Sequence, residues 1–531
     1  MSRPPTRDSH LYLLNRNLVR QPRGLDLTAL QLARLLLERY PHTSLTLAEF
    51  NPGLTEVARH HITAGRLPAA VRILSFFHWI LHGSSVCSLV GPRLPAQIEP
   101  SWLRSFRRVS SHEGRVEKWV CRADRTQSFY WIRKDFDYLN FLSGSQKWKR
   151  DTYLSTGEHV RTQFLGAAGL VTDVFFRLSD HSIALTILRS RDSNATIDQP
   201  ANDHVIQVVE HDHQSRACSM HSSLTPLIAT WLQTLLTKEC PEQHAVLLCD
   251  RLREYRPVLT TLRRVTTHPH LSCVAVAHNH HLAQRDNGHL STSLRSSFEP
   301  DYTPYDLIVL QTQRQAKALR DRAPGPAYAS VATGLPPEAN LPKPSVRSLD
   351  IVSLGAFAAQ KNHAAALRIA RRVCAECPSA RFRFIGQGRL KGAVQKQIEA
   401  YGLFENVVVE DRTDAPLQVF ASSAVSILTS HYEGYPRVVL ESLACGCPVV
   451  AFDIEYGPRE MIVDGVNGVL ITPGDESAFA RHLIRLLTDD AFRDSLQHGA
   501  ATRRQHLSSQ LQQLQAWDDI LQRLRHQHVA T

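Results

Sequence analysis

Two glutamates separated by seven residues, Glu433 and Glu441, lie in the most informative stretch of the chain, Ser430-His431-Tyr432-Glu433-Gly434-Tyr435-Pro436-Arg437-Val438-Val439-Leu440-Glu441. The stretch follows an apolar run, Val425 to Leu428, and carries a glycine and then a proline at a first helical position. A helix starting there presents free amides and the positive end of its dipole, which suit a diphosphate. Glu433 precedes that helix and Glu441 lies about one and a half turns inside it. The two carboxylates can therefore meet opposite ends of one nucleotide-type ligand. On a solvated helix such spacing carries no meaning; its place after a strand and around a helix start gives it weight.

Two more loops follow strand-like runs. Gly355-Ala356-Phe357 and then Lys361 come after Leu354, and Gly386-Gln387-Gly388 comes after Ile385. Glycine there lets backbone approach a ligand closely, although Gly-x-Gly also marks the tight turn of any strand-to-helix connection.

The elements that must position these loops read as alternating strands and helices at both ends of the chain. His10 to Leu14 is a strand, Pro22-Arg23-Gly24 a turn, Leu27 to Tyr40 a helix and Leu45 to Phe50 the next strand. The second unit has strands at Asp350 to Leu354, Ala380 to Ile385, Val407 to Val409, Val425 to Leu428, Pro448 to Phe452 and Gly468 to Ile471. Between them, Ser101 to Val209 changes to short β-type runs, which predict an antiparallel meander. Its basic and aromatic residues (Arg107, Arg108, Phe129, Tyr130, Trp131, Lys147, Trp148, Lys149, Arg150) fit an anion-binding face or, more simply, a core.

The pattern predicts an α/β chain with two doubly wound Rossmann-like domains facing a cleft and a β-rich insertion in the N-terminal one. The expected divisions are 1–100 for the first part of the N-terminal domain, on the acceptor side, 101–215 for the insertion and 216–340 for the second part. Residues 341–506 form the C-terminal donor-binding domain, and 507–531 a crossover helix with apolar residues at helical period.

With 531 residues, 43% of them hydrophobic and 21% charged, the chain is long enough for sizeable cores and is unlike a disordered one. Val71 to Val90 is interrupted by Arg72, His78 and His82, so no transmembrane helix is expected. The N-terminal residues lack an apolar signal core, and ten scattered cysteines fit a reducing compartment. The expected location is the cytoplasm, with peripheral contact at the inner face of the membrane admitted by the charge. That charge is +11, with ten lysines among 61 basic residues, so guanidinium forks suited to phosphate dominate.

Glu433 and Glu441, followed by Cys445-Gly446-Cys447-Pro448-Val449-Val450, resemble the Glu-x7-Glu signature of family 4 retaining glycosyltransferases of the GT-B fold. Phe452-Asp453-Ile454-Glu455-Tyr456-Gly457-Pro458-Arg459-Glu460-Met461-Ile462 and Asp464-Gly465-Val466-Asn467-Gly468 narrow the resemblance to the poly(glycerol-phosphate) α-glucosyltransferase group, which decorates wall teichoic acids. His278-Asn279-His280-His281, Thr312 with Gln315, and the β-rich insertion are similar to that group as well. Transferases that modify Ser-rich surface proteins share the insertion.

The resemblance implies transfer of a hexose, glucose or N-acetylglucosamine, from a UDP-sugar to a hydroxyl of a phosphate-rich wall polymer. A transferase of Ser/Thr-rich surface proteins, or a non-catalytic partner subunit of one, is the alternative. It implies His278, Glu433 and Lys361 as catalytic residues. Gly24, Gly355, Lys361, Glu433, Gly434, Tyr435, Pro436, Arg437, Val438 and Glu441 would bind the donor, with Glu441 on the ribose, Glu433 on sugar hydroxyls and Lys361 on the diphosphate. His281 and Arg251 are the acceptor-side candidates. Family members usually carry arginine where this chain has Ala356, and Arg437 is the candidate substitute. No cofactor and no metal are expected: Cys374-x-x-Cys377 and Cys445-x-Cys447 lack finger-like spacing, and GT-B sites generally need no ion. The implied partners are the nucleotide sugar, an anionic polymer or surface-protein acceptor, and a second copy through the insertion; nucleic acid is not expected.

Overall fold

The computed structural model describes residues 9–335, 341–342 and 348–529, apart from 21, 23, 88, 90–95, 97, 99, 113–114, 134–135, 167–168, 191–203, 279–297, 299–302 and 324. Contacts group the chain into a first unit, Met1–Ala275 with Tyr302–Tyr305 and His528–Thr531, and a second, Val276–Asp301 with Asp306–Gln527.

The chain begins with β1 (His10–Asn15), β2 (Thr43–Leu47) and β3 (Arg72–Ser75). The meander follows as β4 (Phe106–His112), β5 (Val116–Cys121), β6 (Gln127–Arg133), β7 (Asp137–Ser143), β8 (Gln146–Tyr153), β9 (His159–Leu165), β10 (Leu170–Phe176), β11 (Ile183–Ser190), β12 (His204–His211) and β13 (Ala217–His221). Then come β14 (Ala245–Cys249), β15 (Leu271–Ala277), β16 (Leu307–Leu310) and β17 (Ala327–Ser330). The first parallel sheet has the order β17-β16-β15-β14-β1-β2-β3. Its central strands are buried on both faces, as β14 shows with five buried residues in Ala-Val-Leu-Leu-Cys.

The meander is one antiparallel sheet of ten consecutive strands. The short runs Val116 to Cys121, Ser128 to Ile132, Val174 to Leu178, Ser182 to Leu188 and His204 to Val209 mark β5, β6, β10, β11 and β12; in β4, β7, β8, β9 and β13 polar or charged residues are interspersed, as Gln-Lys-Trp-Lys-Arg-Asp-Thr-Tyr of β8 shows, and no run marks them. The core reading of its aromatics holds for two of them. Phe129 and Trp131 are core, while Trp148 is 40% exposed and Arg107 and Arg108 are exposed.

The second parallel sheet is built from β18 (Ile351–Leu354), β19 (Phe382–Ile385), β20 (Val407–Glu410), β21 (Val425–Leu428), β22 (Val449–Phe452) and β23 (Gly468–Ile471). Its order, β20-β19-β18-β21-β22-β23, reverses direction between β18 and β21. Phe357, Phe382, Phe384 and Phe479 are fully buried in its core. All six strands of the sequence reading are present, with ends moved by at most two residues. The last helix runs over Gln510–Val529. The strand of chain entering it is tied to Gly334 and Leu335: Leu335 N donates to Ser508 O at 2.8 Å and Gln510 N to Leu335 O at 3.0 Å.

Candidate functional site

In an open α/β sheet, ligands bind beyond the carboxyl ends of the two strands at which the order reverses. In the second unit those strands are β18 and β21, paired in parallel through Ile351 with Val425 and Val352 with Ser426. The loop leaving β18 carries Gly355 to Lys361, and the loop leaving β21 carries Thr429 to Pro436. Sheet order thus brings together residues more than seventy positions apart.

Lys361 Nζ lies 2.6 Å from Glu433 Oε1. Ser430 Oγ donates to the same oxygen at 2.7 Å, and Gln360 Nε2 donates to Oε2 at 3.3 Å and to Tyr432 O at 2.9 Å. Glu433 is buried, and Lys361 keeps about a fifth of its side chain exposed. The backbone holds this arrangement: His431 N donates to Gln360 O at 2.9 Å, and Thr429 Oγ1 to Lys361 O at 3.1 Å. Asn362 adopts φ 50° and accepts from Ala365 N, capping the helix His363–Glu376 and turning the chain sharply after Lys361.

The glycines serve this packing. The aliphatic stem of Lys361 lies over Gly355, 3.5 Å from where a Cβ would stand. A Cβ on Gly386 would overlap the Gly355 carbonyl, and one on Gly388 would overlap the backbone of Phe357. These two glycines let one loop lie against the other, with Phe357 N donating to Gln387 O at 3.0 Å. Ala356 is exposed. His363 is buried, stacked on Phe357 with centroids 4.7 Å apart, and burial together with Lys361 lowers its pKa to about 4.

The helix beyond Glu433 spans Arg437–Ala444. Pro436 is its N-cap, one position earlier than expected, with ψ 101° keeping it outside the helix. Val439 N and Leu440 N both turn back to Pro436 O, which leaves the amides of Arg437 and Val438 without an intrahelical acceptor. Gly457, at φ +99°, packs so closely on Pro436 and Gly434 that a Cβ has no room. Tyr435 is half-buried, and desolvation raises its phenol. Glu441 points back along the helix to Arg437, with Nη2 to Oε1 at 3.0 Å. Burial raises the Glu441 carboxyl, and Arg437 partly offsets the shift.

Gly24 opens the helix Gly24–Leu37 in the first unit. Arg251 follows β14, and its Nη2 lies 2.6 Å from Asp26 Oδ1 in the first turn of that helix. These two residues flank the reversal point of the first sheet, between β1 and β14. His278 is half-buried directly after β15. His281 lies outside the described residues. Thr312 is the N-cap of the helix Gln313–Arg322, its hydroxyl accepting from Gln315 N at 3.1 Å, so Thr-x-x-Gln is spaced as a capping box.

Sequence reasoning missed Gln360 and Ser430, two donors on Glu433. Ser430 was legible as a hydroxyl three residues before the glutamate; Gln360 had no signal, because its partner belongs to another loop.

Residues 342–503 match the family Glycosyl transferases group 1. Poly(glycerol-phosphate) alpha-glucosyltransferase of Bacillus subtilis is 33% identical over 140 residues, 26% of this chain and 21% of that protein. Poly(ribitol-phosphate) alpha-N-acetylglucosaminyltransferase of Staphylococcus aureus is 32% identical over 124 residues, 23% of this chain and 25% of that protein. The chain thus matches only about a fifth to a quarter of the length of these relatives. Among solved structures, a mutant of S. aureus TarM in complex with Fondaparinux, alpha-GlcNAc-glycerol and UDP has a TM-score of 0.76 at 16% identity, covering 96% of this chain and 99% of that one. The pneumococcal O-GlcNAc transferase GtfA has a TM-score of 0.72 at 12% identity, covering 98% and 99%. The fold is that of GT-B glycosyltransferases, and its second unit carries the group 1 domain.

Proposed function

We propose that this chain is a retaining hexosyltransferase that moves glucose or N-acetylglucosamine from a UDP-sugar to a hydroxyl of a phosphate-rich wall polymer such as a teichoic acid. The observation that carries the reading is the pairing of Lys361 with Glu433 at the reversal point of the group 1 domain. There a cation and a buried carboxylate meet beside the start of the helix Arg437–Ala444. The polymer acceptor is supported by the named activities of the Bacillus and Staphylococcus relatives.

In this reading Lys361 turns from Glu433 to the diphosphate and neutralises the charge that grows as the glycosidic bond breaks. The freed oxygen of Glu433 accepts from sugar hydroxyls, while Ser430 and Gln360 hold the carboxylate in place. The amides of Arg437 and Val438 receive a phosphate oxygen. Glu441, as carboxylate, accepts from the ribose hydroxyls, and Arg437 partly offsets the burial that raises its carboxyl. His278 is assigned to charge stabilisation on the reacting groups. Lys361, the helix start and Arg437 supply positive charge from the protein itself, so the reaction is assigned no resident cofactor or metal. A UDP-sugar donor places the work in the cytoplasm, with the net charge of +11 suited to the anionic inner face of the membrane.

Exposed Ala356, where the group usually has arginine, favours one second reading, a weakly active or non-catalytic partner subunit for a surface-protein acceptor. A panel of nucleotide sugars, scored for release of nucleoside diphosphate with and without glycerol-phosphate polymer, separates the two. Polymer-stimulated release from a UDP-hexose is expected; no release from any donor would leave the subunit reading standing.

A further inference from the structure

The geometry points to a saccharide subsite on the meander, a cavity that takes a pyranose ring carried by an anionic polyol-phosphate chain. The inference rests on the transferase reading for the identity of that chain.

A cavity of about 490 Å³ opens on the meander, lined by Trp102, Phe106, Phe141, Trp148, Lys149 and Asp151 among others. That is the size of ordinary small-molecule sites, about 300–1,000 Å³. Its construction depends on an irregularity in β8. Phe141 pairs with Lys149, but Leu142 pairs with Lys147, so Trp148 is the extra residue of a β-bulge. In a regular strand, adjacent side chains point to opposite faces. The bulge instead lets Trp148 and Lys149 line one cavity.

Trp148 stays 40% exposed there, its ring centroid 6.3 Å from that of Phe141. A flat aromatic face held open to water suits the C–H face of a pyranose, which is apolar on its face and polar at its rim. The polar end of the cavity fits that rim. Lys149 Nζ stands 2.9 Å from Asp151 Oδ2 and 4.7 Å from the Phe141 ring centroid, and Asp151 also accepts from Thr162 at 2.7 Å. A fixed donor beside a fixed acceptor matches vicinal hydroxyls.

Charge identifies what bears the ring. Residues 101–150 hold twelve lysines and arginines against five acidic residues, +7 of the whole chain's +11. Arg107 and Arg108 of that segment are exposed on the edge strand β4. Cations outside an aromatic pocket select a neutral ring on a polyanion over a free neutral sugar.

The test titrates the full chain, without donor, with a glycerol-phosphate hexamer carrying α-glucosyl groups and with the bare hexamer. The decorated hexamer should bind at least tenfold tighter. Trp148→Ala should abolish that preference and leave UDP-glucose hydrolysis within twofold, while Trp148→Tyr retains it. Lys149→Met, folded by circular dichroism, should also lower the preference, which keeps the test open if Trp148→Ala fails to fold. Equal affinity for the two hexamers, or a preference that survives in Trp148→Ala and Lys149→Met, overturns the subsite. So does a Trp148→Ala variant that loses only self-association in sedimentation, which would assign the face to a second copy. A chain that shows the preference but transfers no sugar keeps the subsite and sinks the transferase reading.

Discussion

Lys361 and Glu433, 72 positions apart in sequence, form a 2.6 Å ion pair where β18 and β21 run side by side. The pair holds the two loops together before any ligand arrives, so the cation assigned to the diphosphate also has a structural duty. Lys361→Ala should therefore do two things. It should weaken UDP-sugar binding about tenfold or more, the loss of one charge-assisted contact of roughly 1.5–3 kcal/mol. It should also lower stability, because Glu433 is left buried without its cation. The double variant Lys361→Ala with Glu433→Gln should recover part of the stability and none of the affinity. Calorimetry and thermal unfolding read the two effects; a Lys361→Ala variant as stable as the parent would mean the pair is not coupled to the fold.

Glu433→Gln by itself keeps an acceptor for Lys361 and Ser430 but brings an amide next to the ammonium. Turnover with saturating donor should fall at least tenfold, with unfolding shifted far less than by Lys361→Ala. Wild-type turnover in this variant would remove Glu433 from the reaction.

Much of this site was legible in the sequence. The strands of the second sheet are apolar runs closed by glycine or polar loops, and that pattern alone places the loops of Lys361 and Glu433 at strand ends. What period and composition could not supply was the partnership across loops. Gln360 reaches Glu433 only because the sheet order sets β18 beside β21. The glycines at 386 and 388 were visible, but their purpose depends on which backbone they touch. The meander was half legible for a related reason: a strand such as β8, with exposed and buried positions mixed by a bulge, has no clean alternation to read.

Arginine restored at position 356 should raise or preserve activity. Ala356 is exposed, on the loop that carries Lys361, so a guanidinium there can reach ligand without displacing core. Turnover of Ala356→Arg with UDP-glucose and polymer is the measurement. A clear loss would show that the pocket is shaped around the small side chain and that the donor differs from the one assigned.

Two titrations should mark the domain from opposite sides. His363 ionises in the fold only near pH 4, against about 6.5 in the unfolded chain, because it is buried beside Lys361. Its depressed pKa means the unfolded state binds the proton first, so stability present above about pH 6.5 is lost as pH falls toward 4. His363→Phe, which keeps the stack on Phe357, should flatten that fall. Glu441 has the reverse sign: its carboxyl is raised above the usual 4.5 by burial, so the folded state holds the proton longer. Stability is then lost as pH rises from about 4.5 through the raised value, and Glu441→Gln should gain on the parent across that window. Donor affinity should move the other way, rising with pH as Glu441 becomes the acceptor for the ribose. Unfolding scans and donor titrations from pH 4 to 8 check both.

The anomeric configuration of the product bears on mechanism. Retention through a covalent intermediate needs a carboxylate free to attack the sugar, and retaining glycosidases place two carboxyl groups about 5–5.5 Å apart for this purpose. In the group 1 domain Glu433 is already held by Lys361, Ser430 and Gln360, and Glu441 by Arg437 inside the helix. Neither is poised as a nucleophile. In the proposed reaction both accept hydrogen bonds from hydroxyls, and Lys361 and the helix amides are assigned the charge of the leaving diphosphate. The expected course is front-face displacement, in which the acceptor oxygen bonds to the anomeric carbon on the side the diphosphate leaves, and the diphosphate takes the acceptor's proton. An α-linked donor should then give an α-linked product, visible in the anomeric proton coupling of the first-formed material. A β-linked product would contradict this course and the retaining assignment together.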